Sequence, residues 1–307
     1  MNTPPKGATT PGGCGSFLFS SFGSADLLME NNQTEFRVIL LTHGGAEAVL
    51  LRLAQLDNAQ VAGVFVEEKR APQRSFKEKF RRSLKYDGFW ATIGKTFRQT
   101  AVENSVEDLT AEMARNLDFP VHFVSDFHDA ETIELMRAAR ADLGVIYGTN
   151  IIKESVFSLP RLGSINLHQG LAPFYRGSAP VFWELYNDER EVGITVHRVA
   201  AKVDAGDIVL QESVPLLYDF ERFDLNFESF IEDFRAGIKE KCAALVAESV
   251  RQIADGTASF QTQDISLGTR YKLPTKSEKD ELKRRLRERK KFLKAETQRF
   301  RSVENER

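Results

Sequence analysis

The sequence predicts an α/β protein built on a doubly wound, mostly parallel sheet of Rossmann type, with a helical C-terminal extension. Two observations favour this class. Short apolar runs of strand length alternate with longer segments of helical spacing between residues 36 and 147, which is typical of successive β-α-β units. The runs are also apolar throughout rather than at every second residue, as in strands that helices cover on both faces.

Composition limits the function classes. The chain has 307 residues, enough for one large α/β domain or two small ones, and 42 basic against 44 acidic residues leave a net charge of −2. The whole molecule therefore has no field that would hold it on nucleic acid or on an anionic membrane. Two cysteines exclude a disulfide framework. Because no apolar run reaches roughly 18–20 residues, we expect a cytoplasmic protein without a membrane partner.

The first β-α-β unit follows residue 35. Phe36–Leu41 is an apolar run of strand length, Thr42–Gly45 is the turn, Ala46–Ala54 has helical spacing, and Val61–Val66 is the second strand. The crossover between the two strands should be right-handed.

The alternation resumes further along the chain and continues to its C-terminal part. The predicted elements are a helix at Val106–Leu117, a strand at Pro120–Val124, a helix at Ala130–Ala141, strands at Leu143–Tyr147, Gly193–Val199 and Ile208–Val214, and a helix at Ala243–Ala254. Between the last two, phenylalanines recur every three or four residues, at Phe220, Phe223, Phe227, Phe230 and Phe234. This spacing predicts one helical face packed against the core rather than a cofactor-stacking surface.

The expected domain organisation has three parts. Residues 1–35 are rich in Gly, Ser, Thr and Pro and are predicted to be a disordered leader, since Lys6 alone is too little charge for a secretory signal. Residues 36–260 form the main domain, which contains a basic helical insertion at 67–104. Residues 261–307 form a basic, partly helical tail. The insertion and the tail each carry a local net charge of +6, over Glu67–Arg98 and Lys276–Arg307.

Common catalytic signatures are absent from the sequence. Gly44-Gly45 is not a dinucleotide-binding GxGxxG motif, and there is no phosphate-binding P-loop, HExxH or GxSxG. No two of the five histidines have the spacing of metal ligands on a helix, so no metal is expected.

Three polar residues suggest chemistry. Asn166 and His168 lie two residues apart and would share one face of a short strand, and Asp204 follows in a glycine-containing loop. An amide and a protonated imidazole can hold an oxyanion, and a carboxylate can raise the basicity of the imidazole or accept a proton from an amine. This set suits acyl transfer to an amine. On spacing alone, a purely structural role remains an open alternative. Asn166 and His168 would then be a hydrogen-bonded pair in the core, and Asp204 would be a turn residue.

These residues also lie in motifs. Asn166–His168, the loop ending at Pro173–Gly177, Gly193–His197 and Asp204–Gly206 together resemble the folate-dependent formyltransferase family. That family includes phosphoribosylglycinamide, methionyl-tRNA and nucleotide-sugar formyltransferases. The resemblance is dense from Leu143 to Pro215.

The resemblance implies a formyltransferase-like catalytic domain that moves a formyl group from 10-formyltetrahydrofolate to a primary amine. It assigns catalysis to Asn166, His168 and Asp204. The implied cofactor-binding residues are Tyr147, Gly148, Thr149, Asn150, Ile151, Ile152, Val203 and Gly206. The implied substrate-binding residues are His43, Gly44, Gly45, Pro173, Arg176 and Gly177, where a glycine turn before a helix also suits an anion.

The acceptor is expected to be a small phosphorylated amine, either phosphoribosylglycinamide-like, as in purine biosynthesis, or a nucleotide-linked amino sugar. Methionyl-tRNA is an alternative because of the basic tail, although little strand pattern follows Pro215 for a further β-barrel domain. A non-catalytic anion-binding protein on the same core is a second alternative. Gln169–Pro173 departs from the family's Pro-Ser-Leu-Leu-Pro, which puts the acceptor more in question than the reaction. No oligomeric state is predicted.

Overall fold

The computed structural model describes residues 35–68, 85, 109–217 and 227–305, with side chains as far as Phe292. The expected leader, most of the basic insertion at 67–104, and Phe220 and Phe223 of the phenylalanine pattern lie outside the described residues. Residues 35–307 belong to one compact unit. The boundary expected at residue 260 stays a prediction.

Seven strands form the main sheet, in the spatial order β3-β2-β1-β4-β5-β7-β8. They are β1 (Phe36–Thr42), β2 (Ala59–Glu67), β3 (Val121–Val124), β4 (Leu143–Tyr147), β5 (Ser164–His168), β7 (Glu191–Arg198) and β8 (Ile208–Pro215). The five strands from β3 to β5 are parallel, and β7 and β8 complete the sheet in antiparallel pairing. The predicted α/β fold with a mostly parallel sheet is confirmed.

A second, two-stranded sheet pairs β6 (Tyr175–Gly177) in parallel with β9 (Thr269–Tyr271). The sequence did not indicate either strand, because three residues are too few for a periodicity to show. This small sheet attaches a segment of the expected tail to the loop that follows β5.

The described helices occupy most of the predicted positions. They are α1 (Glu47–Leu53), α2 (Leu109–Asn116), α3 (Ala130–Ala138), α4 (Glu154–Phe157), α5 (Phe182–Tyr186), α6 (Phe227–Gly237), α7 (Lys239–Ala254) and α8 (Lys276–Asn305). Helix α3 ends three residues earlier than predicted, since Arg140 has a φ of +48°, which a right-handed helix cannot contain. Helix α7 begins four residues earlier than predicted, in a polar turn that apolar spacing does not detect.

The apolar run of β1 contributes to two cores. Val38 and Leu40 lie in a cluster on one face of the sheet with side chains of α1 and α7. Ile39 and Leu41 lie in a second cluster on the other face, with Phe127 among others. Successive residues of a strand point to opposite faces, so a strand buried on both faces is apolar throughout.

A third cluster holds the C-terminal part of the chain. Leu282 and Leu286 of α8 are buried there with Phe182 and Trp183 of α5, and Phe227 of α6 is buried with them. The tail helix is therefore docked on the surface, and the described part of the phenylalanine pattern faces the core. No helix in the described ranges has the length and apolar character needed to cross a membrane.

The strand order positions the site. The chain moves outward from β1 to β2 and β3 and then returns to β4 on the other side of β1. Ligands of such sheets bind at the carboxyl ends of the strands near this switch. Gly44 follows β1 and Gly148 follows β4 there, so close together that a Cβ on Gly148 would be 3.6 Å from the Gly44 carbonyl oxygen.

Candidate active site

Strand β5 presents two polar side chains near its carboxyl end. Asn166 and His168 are two residues apart and share a face, and His168 is only 9% exposed. Asn166 lies opposite His197 of β7 in the antiparallel pairing, and its Nδ2 atom is 3.4 Å from His197 Nε2. His197 was not among the predicted site residues. The β5–β7 pairing that brings it to Asn166 could not be inferred from either strand alone.

Asp204 completes the cluster from the loop between β7 and β8. Its Oδ2 atom is 3.6 Å from His168 Nδ1, and its Oδ1 atom is 3.5 Å from His197 Nε2. The backbone N–H of Gly177 donates to Oδ2 at 2.8 Å. The three side chains that the sequence singled out, together with His197, thus lie in one cluster although 38 positions separate Asn166 from Asp204.

The hydrogen bonds of the two histidine rings fix their tautomers. His168 Nε2 is 2.6 Å from the carbonyl oxygen of Tyr175, and His197 Nδ1 is 2.8 Å from that of Arg198. A carbonyl oxygen only accepts, so these two nitrogens carry the ring protons. In the neutral rings, His168 Nδ1 and His197 Nε2 are then unprotonated, and both face the carboxylate of Asp204.

Burial and charge set the protonation of the cluster. Burial lowers the pKa of His168 below its ordinary value, although Asp204 and the Tyr175 carbonyl act to raise it. Burial acts to raise the pKa of Asp204, but His197, His168 and the Gly177 N–H together outweigh it, and that pKa lies below its ordinary value. Asp204 is therefore ionised and His168 neutral at pH 7. The direction of the His168 shift disfavours the protonated imidazole that the sequence led us to expect.

The resulting arrangement is suited to accepting a proton. The carboxylate of Asp204 faces one ring nitrogen of each histidine, and a proton placed between the carboxylate and a ring nitrogen would form a charge-assisted hydrogen bond. The N–H of His168 donates to Tyr175 instead, so the amide of Asn166 is the group best placed to donate to an oxyanion.

A buried hydroxyl holds the loop that follows His168. Thr195 Oγ1 donates to the Gly170 carbonyl at 2.7 Å and accepts from the Ala172 N–H at 3.2 Å and from Gln211 Nε2 at 2.8 Å. Gln211 Nε2 also donates to the Ala172 carbonyl at 2.8 Å. One donor and two acceptor positions are all that a hydroxyl offers, so Thr195 is fully used.

Gly170 lies between the two partners of the His168 hydrogen bond. A Cβ at this position would be 2.4 Å from His168 Nε2 and 2.4 Å from the Tyr175 carbonyl oxygen. Only glycine leaves this hydrogen bond undisturbed. Gly170 stands where the family's Pro-Ser-Leu-Leu-Pro motif has serine. In this protein the absence of a side chain there allows the observed orientation of the imidazole.

A cavity of about 410 Å³ lies beside the cluster, where the start of β5 meets the ends of the β7–β8 loop. Phe157, Leu162 and Val199 give it apolar walls, and Ser164 lines it two residues before Asn166. Of the eight predicted cofactor-binding residues, Gly206 lines this cavity. The period of two along β5 could have indicated Ser164, because it shares a face with Asn166.

The other predicted cofactor-binding residues lie at the carboxyl end of β4 and in the β7–β8 loop. Tyr147 is partly buried, and burial raises the pKa of its hydroxyl to about 12. Thr149 donates to the carbonyl of Asn150, Ile151 is 70% exposed, and Ile152 is buried in the second core cluster. Gly148 and Val203 complete the set. Their role in cofactor binding stays a prediction.

The predicted acceptor turn after β1 is bordered by carboxylates. His43 Nε2 is 2.5 Å from Glu67 Oε2, and the His43 ring stacks on Phe127. The N–H of Ala46, at the start of α1, donates to Thr110 Oγ1, which in turn donates to a carboxylate oxygen of Glu47. The turn at His43, Gly44 and Gly45 is therefore less suited to binding an anion than the sequence suggested.

The predicted residues of the loop after β5 have structural partners. Arg176 is 8% exposed and donates to the carbonyls of Pro173 and Ile265. Gly177 donates to Asp204. These contacts position the loop, and direct contact of these residues with an acceptor stays a prediction. Among the described residues, no group of three or more His, Cys, Asp and Glu side chains is arranged to hold a metal ion.

Comparison with known proteins finds a family similar to the region that contains the cluster. The family model described as formyl transferase matches residues 95–226, a range that contains Asn166, His168, His197 and Asp204. This part of the chain is similar to the formyl transferase family. The resemblance noted in the sequence motifs is thereby confirmed.

Curated relatives are similar to about half of the chain. The methionyl-tRNA formyltransferase of Chlorobium chlorochromatii is 34% identical over 159 residues, which are 52% of this chain and 48% of the relative. That of Chlorobium limicola is 34% identical over 165 residues, 54% of this chain and 49% of the relative. The chain spans about half the length of the curated relatives it matches.

Solved structures share the fold of the domain. Glycinamide ribonucleotide transformylase 1 from Symbiobacterium toebii has a TM-score of 0.52 and 19% identity, over 76% of this chain and 96% of that one. The corresponding protein from Geobacillus kaustophilus has a TM-score of 0.50 and 16% identity, over 72% and 99%. At these identities the likeness concerns the fold.

Proposed function

We propose that this protein transfers a formyl group from 10-formyltetrahydrofolate to a primary amine. The observation that carries the proposal is the convergence of Asn166, His168 and Asp204 in the region that matches the formyl transferase family. His168 and His197 lie within 3.6 Å of Asp204, and Asn166 lies 3.4 Å from His197. No side chain of the cluster is a Ser, Cys or Lys, so direct attack by the amine fits better than a covalent enzyme intermediate.

The cavity beside Asp204 fits the donor. Its apolar walls at Phe157, Leu162 and Val199 suit a flat ring, and backbone groups of the β7–β8 loop around Gly206 can hydrogen-bond the edge of that ring. When bound, 10-formyltetrahydrofolate supplies the formyl carbon and a nitrogen leaving group. We assign this cavity to the ring of the donor. The residues at the carboxyl end of β4 would line the path by which the donor enters.

The residues of the cluster would act in two ways. As the amine nitrogen bonds to the formyl carbon, the carbonyl oxygen gains negative charge, which the amide N–H of Asn166 stabilises. The proton that the amine loses passes to the site between Asp204 and the ring nitrogens of His168 and His197 that face it. When the bond between the formyl carbon and the donor nitrogen breaks, that proton is returned to the departing nitrogen. The products are the N-formyl amine and tetrahydrofolate.

Two acceptor classes fit the proposal. The sequence favoured a small phosphorylated amine, a phosphoribosylglycinamide-like compound or a nucleotide-linked amino sugar, and purine biosynthesis would be one setting. The 34% identity to methionyl-tRNA formyltransferases favours methionyl-tRNA as the second candidate. The carboxylates Glu47 and Glu67 beside the β1 turn give less support to a phosphate there. We also propose that the protein acts in the cytoplasm.

The test is an assay of formyl transfer. The protein is incubated with 10-formyltetrahydrofolate and, separately, with glycinamide ribonucleotide, a nucleotide-linked amino sugar and methionyl-tRNA, and both tetrahydrofolate and the formylated amine are measured. We expect one acceptor to be formylated and Asn166→Ala to slow its turnover about a hundredfold or more. Asn58→Ala is the matched control, since Asn58 contacts Arg251 and Asp255 at the far end of α7. Absence of product with all three amines, or equal turnover in the two variants, would contradict the proposal.

A further inference from the structure

Helix α5 buries a carboxyl group that the proposed reaction does not use. Glu184 is 2% exposed, and its Oε2 atom has no hydrogen-bond partner among the described residues. Burial raises the pKa of Glu184 to about 7, although the backbone N–H groups of Glu184 and Val181 act to lower it. An unpartnered buried carboxyl oxygen is costly to a fold, and a bound water, ion or ligand group can supply the missing partner.

Glu184 lies in the wall of a large cavity. The cavity has a volume of about 690 Å³, within the range of small-molecule sites. Its apolar and aromatic walls come from the loop after β5 and from the segment around β9: Leu171, Phe174, Tyr175, Leu267 and Tyr271. The rings of Tyr175 and Tyr271 are stacked, with centroids 5.3 Å apart. This cavity is distinct from the one assigned to the donor, since the two share no lining residue.

The charges around this cavity are mostly negative. Four carboxyl groups and one guanidinium group line it, and the three carboxyl groups besides Glu184 are those of Asp188, Glu189 and Glu191. Glu189 accepts a hydrogen bond from the Tyr175 hydroxyl, and Asp188 is paired with Arg289. Within the described residues, Glu184 is thus the buried carboxyl with an oxygen, Oε2, that accepts no hydrogen bond. A cation can neutralise it, whereas an anion would be repelled by the whole rim.

The same glutamate reaches the active site. A cavity of only about 10 Å³, room for roughly one water, is lined by both Glu184 and His168. Tyr175 lines both cavities, and its carbonyl oxygen accepts the N–H of His168. An occupant of the large cavity would therefore touch the residue that orients the imidazole.

We propose that the 690 Å³ cavity is a second binding site, which takes a small organic cation with an aromatic or aliphatic body and uses Glu184 as its counter-ion. The ammonium or guanidinium group of the ligand lies against Glu184 at the inner end of the cavity. The apolar body packs between the tyrosines and the leucines of the walls. This site is separate from the formyl-transfer site and does not require the proposed reaction to be correct.

The experiment compares a cation with its neutral isostere. Binding of 2-phenylethylammonium and of 2-phenylethanol to the full chain is measured by isothermal titration calorimetry at pH 8, without folate. We expect the cation to bind at least about tenfold more tightly than the alcohol, since a hydrogen bond to a charged group contributes that much or more. Glu184→Gln should abolish this preference and leave the affinity for the alcohol unchanged. Glu191→Gln, at an exposed carboxyl on the rim, should keep the preference.

Equal affinity of the wild-type protein for the two compounds would overturn the proposal, and so would an unchanged preference in Glu184→Gln. Retained binding of the alcohol shows that the variant is folded with its cavity intact. If Glu184→Gln does not fold, the comparison of the two probes on the wild-type protein decides alone. The formyl-transfer assay gives an independent result, so failure of one proposal is distinguishable from failure of the other.

Discussion

The backbone N–H of Gly177 donates to Oδ2 of Asp204 at 2.8 Å and so joins the loop after β5 to the loop between β7 and β8. Gly177 has a φ of +98°, and a Cβ there would be 2.3 Å from the Tyr271 carbonyl oxygen. Gly177 also pairs with Tyr271 in the small β6–β9 sheet. The position of the carboxylate that faces His168 therefore depends on the glycine that ends the short strand β6.

Replacement of Gly177 by alanine should disturb this carboxylate. Both the positive φ and the clash with Tyr271 oppose a side chain, so we expect Gly177→Ala to lower the free energy of unfolding by about 1–3 kcal/mol and turnover by more than about tenfold. Urea denaturation and the formyl-transfer assay measure the two effects. Gly256→Ala is the matched control, since Gly256 has a φ of +70° at the end of α7 with no atom near its Cβ position. Equal turnover in the two variants would refute the role of Gly177.

Gly170→Ala should separate His168 from Tyr175. A Cβ would be 2.4 Å from both partners of their hydrogen bond, so the ring must turn or the loop must move. We expect turnover to fall by about a hundredfold, because a shift of 1 Å in a catalytic group has that cost. Gly237→Ala, at the end of α6 where the Cβ would meet nothing, should retain wild-type turnover. An active Gly170→Ala would show that the imidazole does not need this orientation.

The hydroxyl of Thr195 should be needed for stability. Thr195→Val keeps the shape of the side chain but removes the hydroxyl that the Gly170 carbonyl and the Ala172 N–H use, while Gln211 keeps its hydrogen bond to the Ala172 carbonyl. We expect a loss of about 1–3 kcal/mol in the free energy of unfolding, measured by urea denaturation. Thr257→Val, at an exposed hydroxyl after α7, should cost less than about 0.5 kcal/mol. A loss no greater than that of the control would show that water replaces the hydroxyl.

The stability of the protein should carry a pH dependence from Glu184. Its pKa rises from 4.5 to about 7 on folding, so its contribution is fully present below pH 4.5 and is lost as the pH rises through 7. Glu184→Gln removes this loss. Relative to wild type, the variant should gain up to about 3 kcal/mol between pH 5 and pH 8, measured by urea denaturation at both values. The pKa shifts of His168 and Asp204 have the opposite effect on the pH dependence of stability, but they are present in both proteins and drop out of the comparison. An equal pH dependence of stability in wild type and variant would contradict the prediction.

Much of the fold could be predicted because its strands are buried on both faces. The apolar runs at β1, β2 and β4 are long enough to stand out against polar loops, and their alternation with helices implies parallel pairing. The three-residue strands β6 and β9 could not be predicted, since their pairing joins positions nearly a hundred residues apart and neither has a repeating pattern.

The candidate site could be predicted in part for a similar reason. Asn166 and His168 share a strand, and their relation follows from the period of two. The approach of His197 depends on antiparallel pairing between β5 and β7. The burial of Glu184 depends on the packing of α5, whose apolar residues share a core cluster with the C-terminal helix. Such contacts are set by tertiary structure, and local sequence carries no signal for them.

Formyl transfer by Asp204→Asn tests the central claim most directly. The assay uses 10-formyltetrahydrofolate and the acceptor that the wild-type protein accepts, at pH 7.5. Asp118→Asn is the matched control, because Asp118 also has a positive φ, of 57° against 50° for Asp204, and follows α2 away from the cluster. Since asparagine accepts no proton, we predict that Asp204→Asn lowers turnover by at least about a hundredfold while Asp118→Asn retains it. Wild-type turnover in Asp204→Asn would contradict the account.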